Sequence, residues 1–286
     1  MEIVVRRSMA LGDVICTTPI IRELKKRNQD ARIWVDSQYT TVFKGNPDVN
    51  GDVVSSKIKK ADLAYDLNLC YERTPSKHII DAYAESIFED SNFDKTCMLF
   101  PSSGDQLAAD SLLSYEGISP KEKFIAVHLG ITGRNRTFPP QFWEPIIRGI
   151  VAMGIKVVSL GTMRDYAIKG NPDLRSQLSL HQNACLLKRA ACFVGNDSGL
   201  VHVAGTTDVP IVALYTSAKA EYRLPYRNGE LGGGCYPIKT PLECYGCLEL
   251  EPPPVVTNGC RRGDYACVLG SIDPSIVLEK IREVVK

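Results

Sequence analysis

No stretch of the chain reaches 18 consecutive apolar residues, so a conventional membrane-spanning helix is excluded. Charge of either sign is not in excess. Thirty-four Lys and Arg stand against 33 Asp and Glu, a formal net charge of +1. That argues against a protein held to a polyanion by bulk charge and leaves room only for a local basic patch. No GxGxxG follows the first apolar run and no GxxxxGKS/T occurs, so the dinucleotide fingerprint and the P-loop are both missing. A Rossmann oxidoreductase or epimerase would need that fingerprint and a Tyr-Lys or similar pair, and neither is found. Internal repeats are absent, and the low-complexity sequence is confined to Pro252-Pro253-Pro254. The start, MEIVVRRSMALGDVI, breaks its apolar run with two arginines and an aspartate. This reads against a secretory leader and sets the expectation of a cytoplasmic protein.

What is present is an ordinary globular balance over 286 residues, with 44% hydrophobic and 23% charged. That length suggests two domains. Short β-branched runs alternate with helical periodicity. Ile3-Val4-Val5 predicts a strand, and Thr18-Pro19 opens a helix with Ile20, Ile21 and Leu24 on one face. Arg32–Asp36 predicts the second strand, with Val53-Val54 and Leu63–Leu69 as further candidates. Ile79, Ile80, Tyr83, Ala84, Ile87 and Phe88 form a buried helical stripe. The Ser-, Gly- and Asp-rich stretch 101–122 holds a short helix near 105–115, and the domain boundary is placed there, giving domains 1–115 and 123–286. The second half repeats the pattern. Strands are predicted at Phe124–Leu129, Ile155–Leu160, Cys192–Gly195 and Pro210–Tyr215. Helices are predicted around Phe142–Ile150, at 183–190, at 198–206 and, after Asp273-Pro274, through Val277–Val285. This alternation implies βαβ units in two doubly wound α/β domains, with ligands at the carboxyl ends of the strands and in the cleft between domains.

Three segments carry chemistry. In Phe193-Val-Gly-Asn-Asp197-Ser198-Gly199-Leu200-Val-His202 a strand runs through a small-residue turn into a helix, an arrangement suited to phosphate. Asp197 is well placed to be a plain helix cap, the simpler reading of the same spacing. In Met9-Ala-Leu-Gly12-Asp13 the acid is either a turn former or a general base in the first strand-to-helix loop. In Gly133-Arg134-Asn-Arg136-Thr-Phe-Pro two arginines are either solvated loop charges or guanidinium groups aimed at a diphosphate or acidic substrate.

Together these segments are more specific than any one of them. Through ALGDVICTTPIIRELKKRNQDARIWV at 10–35, GRNRTFPPQFW at 133–143 and FVGNDSGLVHVAGTTDVPIVALYT at 193–216, the chain resembles the family 9 glycosyltransferases. The best-known members of that family are the ADP-heptose:lipopolysaccharide heptosyltransferases. The resemblance implies a GT-B fold of two Rossmann-like domains facing a cleft, with the nucleotide-sugar donor in the C-terminal one. It implies that Asp13, after Gly12, is the base for direct displacement at the donor's anomeric carbon, ionised as an exposed aspartate is. Arg136, with Arg134 beside it, would lie near the donor phosphates or the leaving diphosphate. Asp197, Ser198, Gly199 and His202 match the Asp-Ser/Thr-Gly-x-x-His motif, and Ser198, Gly199 and Leu200 would offer donors to the diphosphate. His202 either supports that loop or simply packs. Asp165, after the Gly161-Thr162 turn, would hold the ribose. No catalytic metal is expected, because helix dipoles and arginine can stabilise the leaving charge. The N-terminal half is shorter than is usual in the family, on the acceptor-binding side. A lipopolysaccharide-core glycan is the family's default acceptor; a protein or a modified nucleobase is the alternative within the class. Peripheral membrane contact stays open.

Ten cysteines without a leader read as thiols or metal ligands. Cys16, Cys70, Cys97, Cys185, Cys192 and Cys235 are scattered as small hydrophobes. Cys244-x2-Cys247-x12-Cys260-x6-Cys267 has the composition of a closed tetrathiolate site for zinc or iron, with free thiols or disulfides as alternatives. Resemblance to the autotransporter heptosyltransferases favours a structural metal there. The competing function outside the enzyme class is a metal-stapled binding module for nucleic acid or a protein partner.

Overall fold

Two separate parallel sheets form from these short apolar runs, and the order of their strands decides where each sheet opens. The computed structural model describes residues 1–56, 60–249 and 259–286. Pro252-Pro253-Pro254 and the middle of the 244–267 loop lie outside the described residues. The first half runs β1 (Glu2–Arg6), α1 (Leu11–Ile15), α2 (Thr18–Arg27), β2 (Arg32–Asp36), β3 (Gly51–Asp52), α3 (Val53–Ser56), β4 (Leu63–Asp66), α4 (Ile79–Glu85) and α5 (Ser103–Tyr115). The second half runs β5 (Phe124–His128), α6 (Pro140–Ala152), β6 (Lys156–Ser159), α7 (Leu180–Arg189), β7 (Cys192–Asn196), α8 (Gly199–Gly205), β8 (Ile211–Tyr215), β9 (Tyr226–Arg227), β10 (Glu230–Leu231), β11 (Cys235–Lys239), α9 (Ala266–Leu269) and α10 (Pro274–Val284).

The first sheet has the order β3-β2-β1-β4, and all its pairings are parallel. The second has the order β11-β8-β7-β5-β6, again all parallel. In both the chain reverses direction across the sheet, between β1 and β4 in the first and between β5 and β7 in the second. Loops at the carboxyl ends diverge at such a reversal and leave a crevice.

Period-two burial holds the second sheet in place. Ile125, Val127, Val194, Val212 and Leu214 face α6 and α10. Phe124, Ala126, Phe193, Ile211, Ala213 and Tyr215 face the other way, in a cluster that continues without a break into the core of the first half. α6 buries Phe142, Trp143, Ile146, Ile147 and Ile150. α10 packs on α6 with Val277 and Ile281 fully buried, and the Asp273 carboxylate caps it by accepting from the Ser275 N–H at 2.8 Å. α5 lies on α7, tied by Arg189 to Asp110 at 2.6 Å.

Four elements differ from the sequence reading. Val53-Val54 is not a strand: pairing with β2 stops at Asp52, and Val54 is 83% exposed at the start of α3, so β-branched propensity had no sheet to bury it. The residues around Gly12 and Asp13 form α1 instead of a loop, entered through Ala10 in the left-handed region at φ 65°. β11 was not foreseen because Pro237 breaks the expected pattern; an edge strand tolerates it. The β9–β10 hairpin turns at Asn228-Gly229, both with positive φ, the signature of a type I′ turn. Among the described residues, no helix is long and apolar enough to cross a membrane.

Truncating a fully buried side chain on α10 tests the packing. Ile281→Ala should lower unfolding stability by about 2–5 kcal/mol in urea; a loss well under 1 kcal/mol would mean that α10 does not close the second sheet.

Candidate active site

At the carboxyl end of β1, Arg7 continues the strand, its N–H bonded to the Asp36 carbonyl at 3.1 Å, and turns its side chain into the gap between β1 and β4. There the guanidinium pairs with Asp13 and with Glu72 at 3.0 Å and donates to the Leu67 carbonyl at 3.2 Å. It also lies over the rings of Tyr71 and Tyr83, at 5.1 and 5.8 Å. The Tyr71 hydroxyl donates to Asp13 Oδ2 at 3.0 Å. Burial works against the charge on Arg7, but Tyr83, Asp13 and Glu72 outweigh it and push its pKa up. Burial, then the charge of Asp13, push the Tyr71 phenol up. Asp13 is therefore not the exposed aspartate expected from sequence. It is 8% exposed and held by a buried cation and a phenol.

The second sheet opens between β5 and β7. His128 ends β5, and its ring is within hydrogen-bond distance of Ser198 Oγ (3.0 Å) and Asp165 Oδ2 (3.4 Å). Asp165 also accepts from the Thr162 N–H at 2.6 Å, the Thr162 hydroxyl at 3.0 Å and the Ile131 N–H at 2.8 Å. Burial would raise its pKa, but His128 and these donors pull it well below the carboxylate range. Gly161, at φ +122°, leaves space where a side chain would strike Asp165 and His128. Asn196, at the end of β7, donates to the Gly130 and Arg136 carbonyls at 3.1 and 2.7 Å, which holds the 130–136 loop against the strand.

The two crevices meet through α1 and α8. A Cβ on Gly12 would strike the His202 ring, and one on Gly199 would lie 3.1 Å from Leu11. His202 is 6% exposed, with Nδ1 3.5 Å from Cys16 Sγ, and burial pushes its pKa down. A cavity of about 770 Å³ lies between the halves. Leu11, Tyr39 and Thr41 line it from the first half, and His128, Gly161, Thr162, Asp165, Ser198, Gly199 and Leu200 from the second.

The other sequence-predicted residues do not line this cavity: Gly12, Asp13, Arg136, Asp197 and His202 lie outside its wall, and Arg134 and the four clustered cysteines border other voids. Asp197 does not cap α8: Ser198 occupies the cap position without a side-chain cap bond, and the Asp197 carboxylate instead pairs with Arg136 at 3.2 Å. Arg134 stacks on Tyr265 at 4.2 Å, beside a different cavity. Cys244, Cys247, Cys260 and Cys267 line one small void with Asn135 and Thr216, and all ten cysteines are free. Burial, then the neighbouring thiols, push Cys267 up to about 11. Among the described residues, no group of three or more His, Cys, Asp or Glu is arranged to hold a metal.

Sequence reasoning missed Arg7, Tyr71, Glu72, His128, Arg223 and Glu249. His128 carried a readable signal, a polar residue ending an apolar parallel strand. Arg223 lies over Tyr71 at 4.7 Å and faces Glu249 Oε1 at 3.0 Å; burial opposes its charge, but Glu249, Tyr71, Asp197 and Asp13 raise its pKa. Burial raises Glu249 to about 7 despite Arg223.

The family model of glycosyltransferase family 9 (heptosyltransferase) matches residues 72–232. Lipopolysaccharide heptosyltransferase 2 of Salmonella typhimurium is 27% identical over 107 residues, which is 32% of this chain and only 30% of that protein. Among solved structures, a family 9 glycosyl transferase from Veillonella parvula superposes with a TM-score of 0.79 at 19% identity, covering 99% of this chain and 97% of that one. The E. coli ADP-heptose lps heptosyltransferase II gives 0.69 at 18%, covering 100% and 98%. The iron-containing dodecameric glycosyltransferase TibC of enterotoxigenic E. coli gives 0.74 at 14%, covering 99% and 78%. These likenesses establish the fold, the α/β GT-B arrangement of two parallel sheets.

Two measurements check this geometry. Gly12→Ala should destabilise the protein by about 1–3 kcal/mol, and adding His202→Ala should recover part of that loss; additive effects would mean that the two residues do not touch. Glu249 is protonated more readily in the folded chain than in the unfolded one. Its contribution to stability is therefore full below about pH 4.5 and fades, by ~3 kcal/mol, as pH rises through about 7. Urea unfolding at acid and neutral pH should show wild type losing stability relative to Glu249→Gln over that window, and parallel profiles would refute it.

Proposed function

The chain belongs to glycosyltransferase family 9, the heptosyltransferase family, and from that premise we propose that it transfers a sugar from an ADP-heptose type donor to an acceptor hydroxyl by direct displacement. Family membership sets aside the non-catalytic binding module. The observation that carries the reading is the cavity between the two sheet crevices, with α1 on one wall and the start of α8 on the other. Its volume suits a nucleotide-sized ligand.

In this mechanism the acceptor hydroxyl attacks the donor's anomeric carbon and gives its proton to Asp13. The bond from that carbon to the β-phosphate oxygen breaks, and the nucleoside diphosphate leaves with the electron pair. Arg7 and Tyr71 hold the Asp13 carboxylate in one orientation, which keeps the base aimed without a reorganisation step. Negative charge grows on the departing diphosphate. The Ser198 hydroxyl and the first N–H groups of α8 would meet it, with Arg136 exchanging Asp197 for phosphate oxygens. Gly161, Thr162 and Asp165 form the wall where the ribose would lie. A glycan hydroxyl of the lipopolysaccharide-core kind is the acceptor we favour, because the matching relative is a lipopolysaccharide heptosyltransferase.

The four thiols have the donor chemistry of a tetrathiolate site and share one void, and a structural neighbour contains iron. Zinc or iron on Cys244, Cys247, Cys260 and Cys267 would cross-link the loop behind Asn135, a structural role only.

Asp13→Asn should keep ADP binding, read as a rise in melting temperature, and lose diphosphate release by about 10²–10⁴-fold. Turnover like that of wild type in this variant removes Asp13 as the base. Failure of any nucleotide-sugar to release diphosphate, with or without glycan acceptors, removes the donor assignment. Elemental analysis of protein purified without chelator should find stoichiometric zinc or iron, and their absence removes the metal.

A further inference from the structure

His128 lies in the wall of the 770 Å³ cavity and has no part in the mechanism above. Its ring is tightly confined. A Cβ on Gly130 would strike it from one side, and one on Gly161 would come within 2.7 Å of Cδ2 from the other. The ring cannot turn without moving backbone, so its two nitrogens keep fixed partners: Ser198 Oγ at 3.0 Å from Nδ1 and Asp165 Oδ2 at 3.4 Å from Nε2. All three residues are buried, at 6, 7 and 9% exposure for His128, Ser198 and Asp165.

We propose that His128 is a positioning residue that sets the direction of the Ser198 hydroxyl proton, so that binding a nucleoside diphosphate draws one proton from solvent onto the imidazole. This rests on the glycosyltransferase reading and deepens it. The argument is one of counting hydrogens. A neutral imidazole carries a single N–H. Asp165 is an anion held by three other donors, so it takes that hydrogen at Nε2, and Nδ1 must accept. The Ser198 hydroxyl then points its proton at the ring and shows the cavity only lone pairs, which repel phosphate oxygens. A protonated ring carries hydrogens on both nitrogens. Nδ1–H now donates to Ser198 Oγ, and the hydroxyl proton is free to turn into the cavity as a donor. A diphosphate in the cavity therefore favours the protonated ring, and by linkage its binding takes up a proton. The charged groups around the ring fit this role. Asp165 supports the imidazolium, and Arg164 lines the same cavity. Asp197, one residue before Ser198, is neutralised by Arg136.

The test is calorimetric titration of the full chain with ADP in buffers of different ionisation enthalpy, repeated at several pH values so that the pH of greatest uptake is sampled. Wild type should take up a large fraction of one proton per ADP bound, and adenosine, which lacks phosphate, should cause none. His128→Gln should still bind ADP, more weakly, with the uptake gone. Ser198→Ala, which keeps the imidazole, should lose the uptake as well and serves if His128→Gln does not fold. ADP binding by wild type without uptake, or uptake that persists in either variant, overturns the relay and leaves the glycosyltransferase reading standing. If neither ADP, UDP, GDP nor CDP binds, the donor reading fails and the relay falls with it.

Discussion

The contact between α1 and α8 is the constraint on which the rest of the site depends. Each helix presents a glycine to the other, Gly12 beneath the His202 ring and Gly199 against Leu11. Two sheets that open at their own crevices would otherwise be separate ligand sites. Close approach of these two helices sets the crevices side by side and places Leu11 and Gly199 in the wall of one cavity, and only a residue without a Cβ permits that approach at Gly12. The glycines in these segments matter as absent side chains more than as flexible backbone.

Around this contact the buried charges are balanced in small local sets. Arg7 is shared between Asp13 and Glu72, Arg136 faces Asp197, and Arg223 faces Glu249. Burying an unpaired charge is expensive, so each of these three guanidinium groups meets a carboxylate, whereas the buried Arg227 donates to the backbone carbonyls of Ala204, Gly205, Val209 and Gly233. A chain with a net charge of +1 can therefore concentrate cations where a diphosphate would leave. Every cation in the set has an internal carboxylate that an incoming anion must displace or share.

Much of the fold was legible because its signals are local. The β-branched runs at Ile3–Val5, Arg32–Asp36 and Phe124–His128, and the helical stripes at Phe142–Ile150 and Val277–Ile281, need only their own neighbours to be read. The errors arose where a distant partner overrode local preference. Val53-Val54 has strand propensity but no strand to pair with, and Pro237 is admitted to β11 because that strand lies at the sheet edge. Asn228-Gly229 was a readable hairpin signal, and its strands are simply very short.

The candidate site divides in the same way. The segments carrying Asp13, Arg136 and Ser198 stand out in the sequence because a small-residue turn between a strand and a helix has a recognisable composition. The sequence by itself thus determined the α/β class, the two sheets and the segments that border the cavity. Only the tertiary structure decided that Asp13 is buried against Arg7 and Tyr71, that Asp197 meets Arg136 instead of capping α8, and that His128 lies between Ser198 and Asp165. Those pairings join residues far apart in the chain, through the strand order of each sheet and the approach of two helices. No local pattern encodes either, because both are set by how the sheets pack.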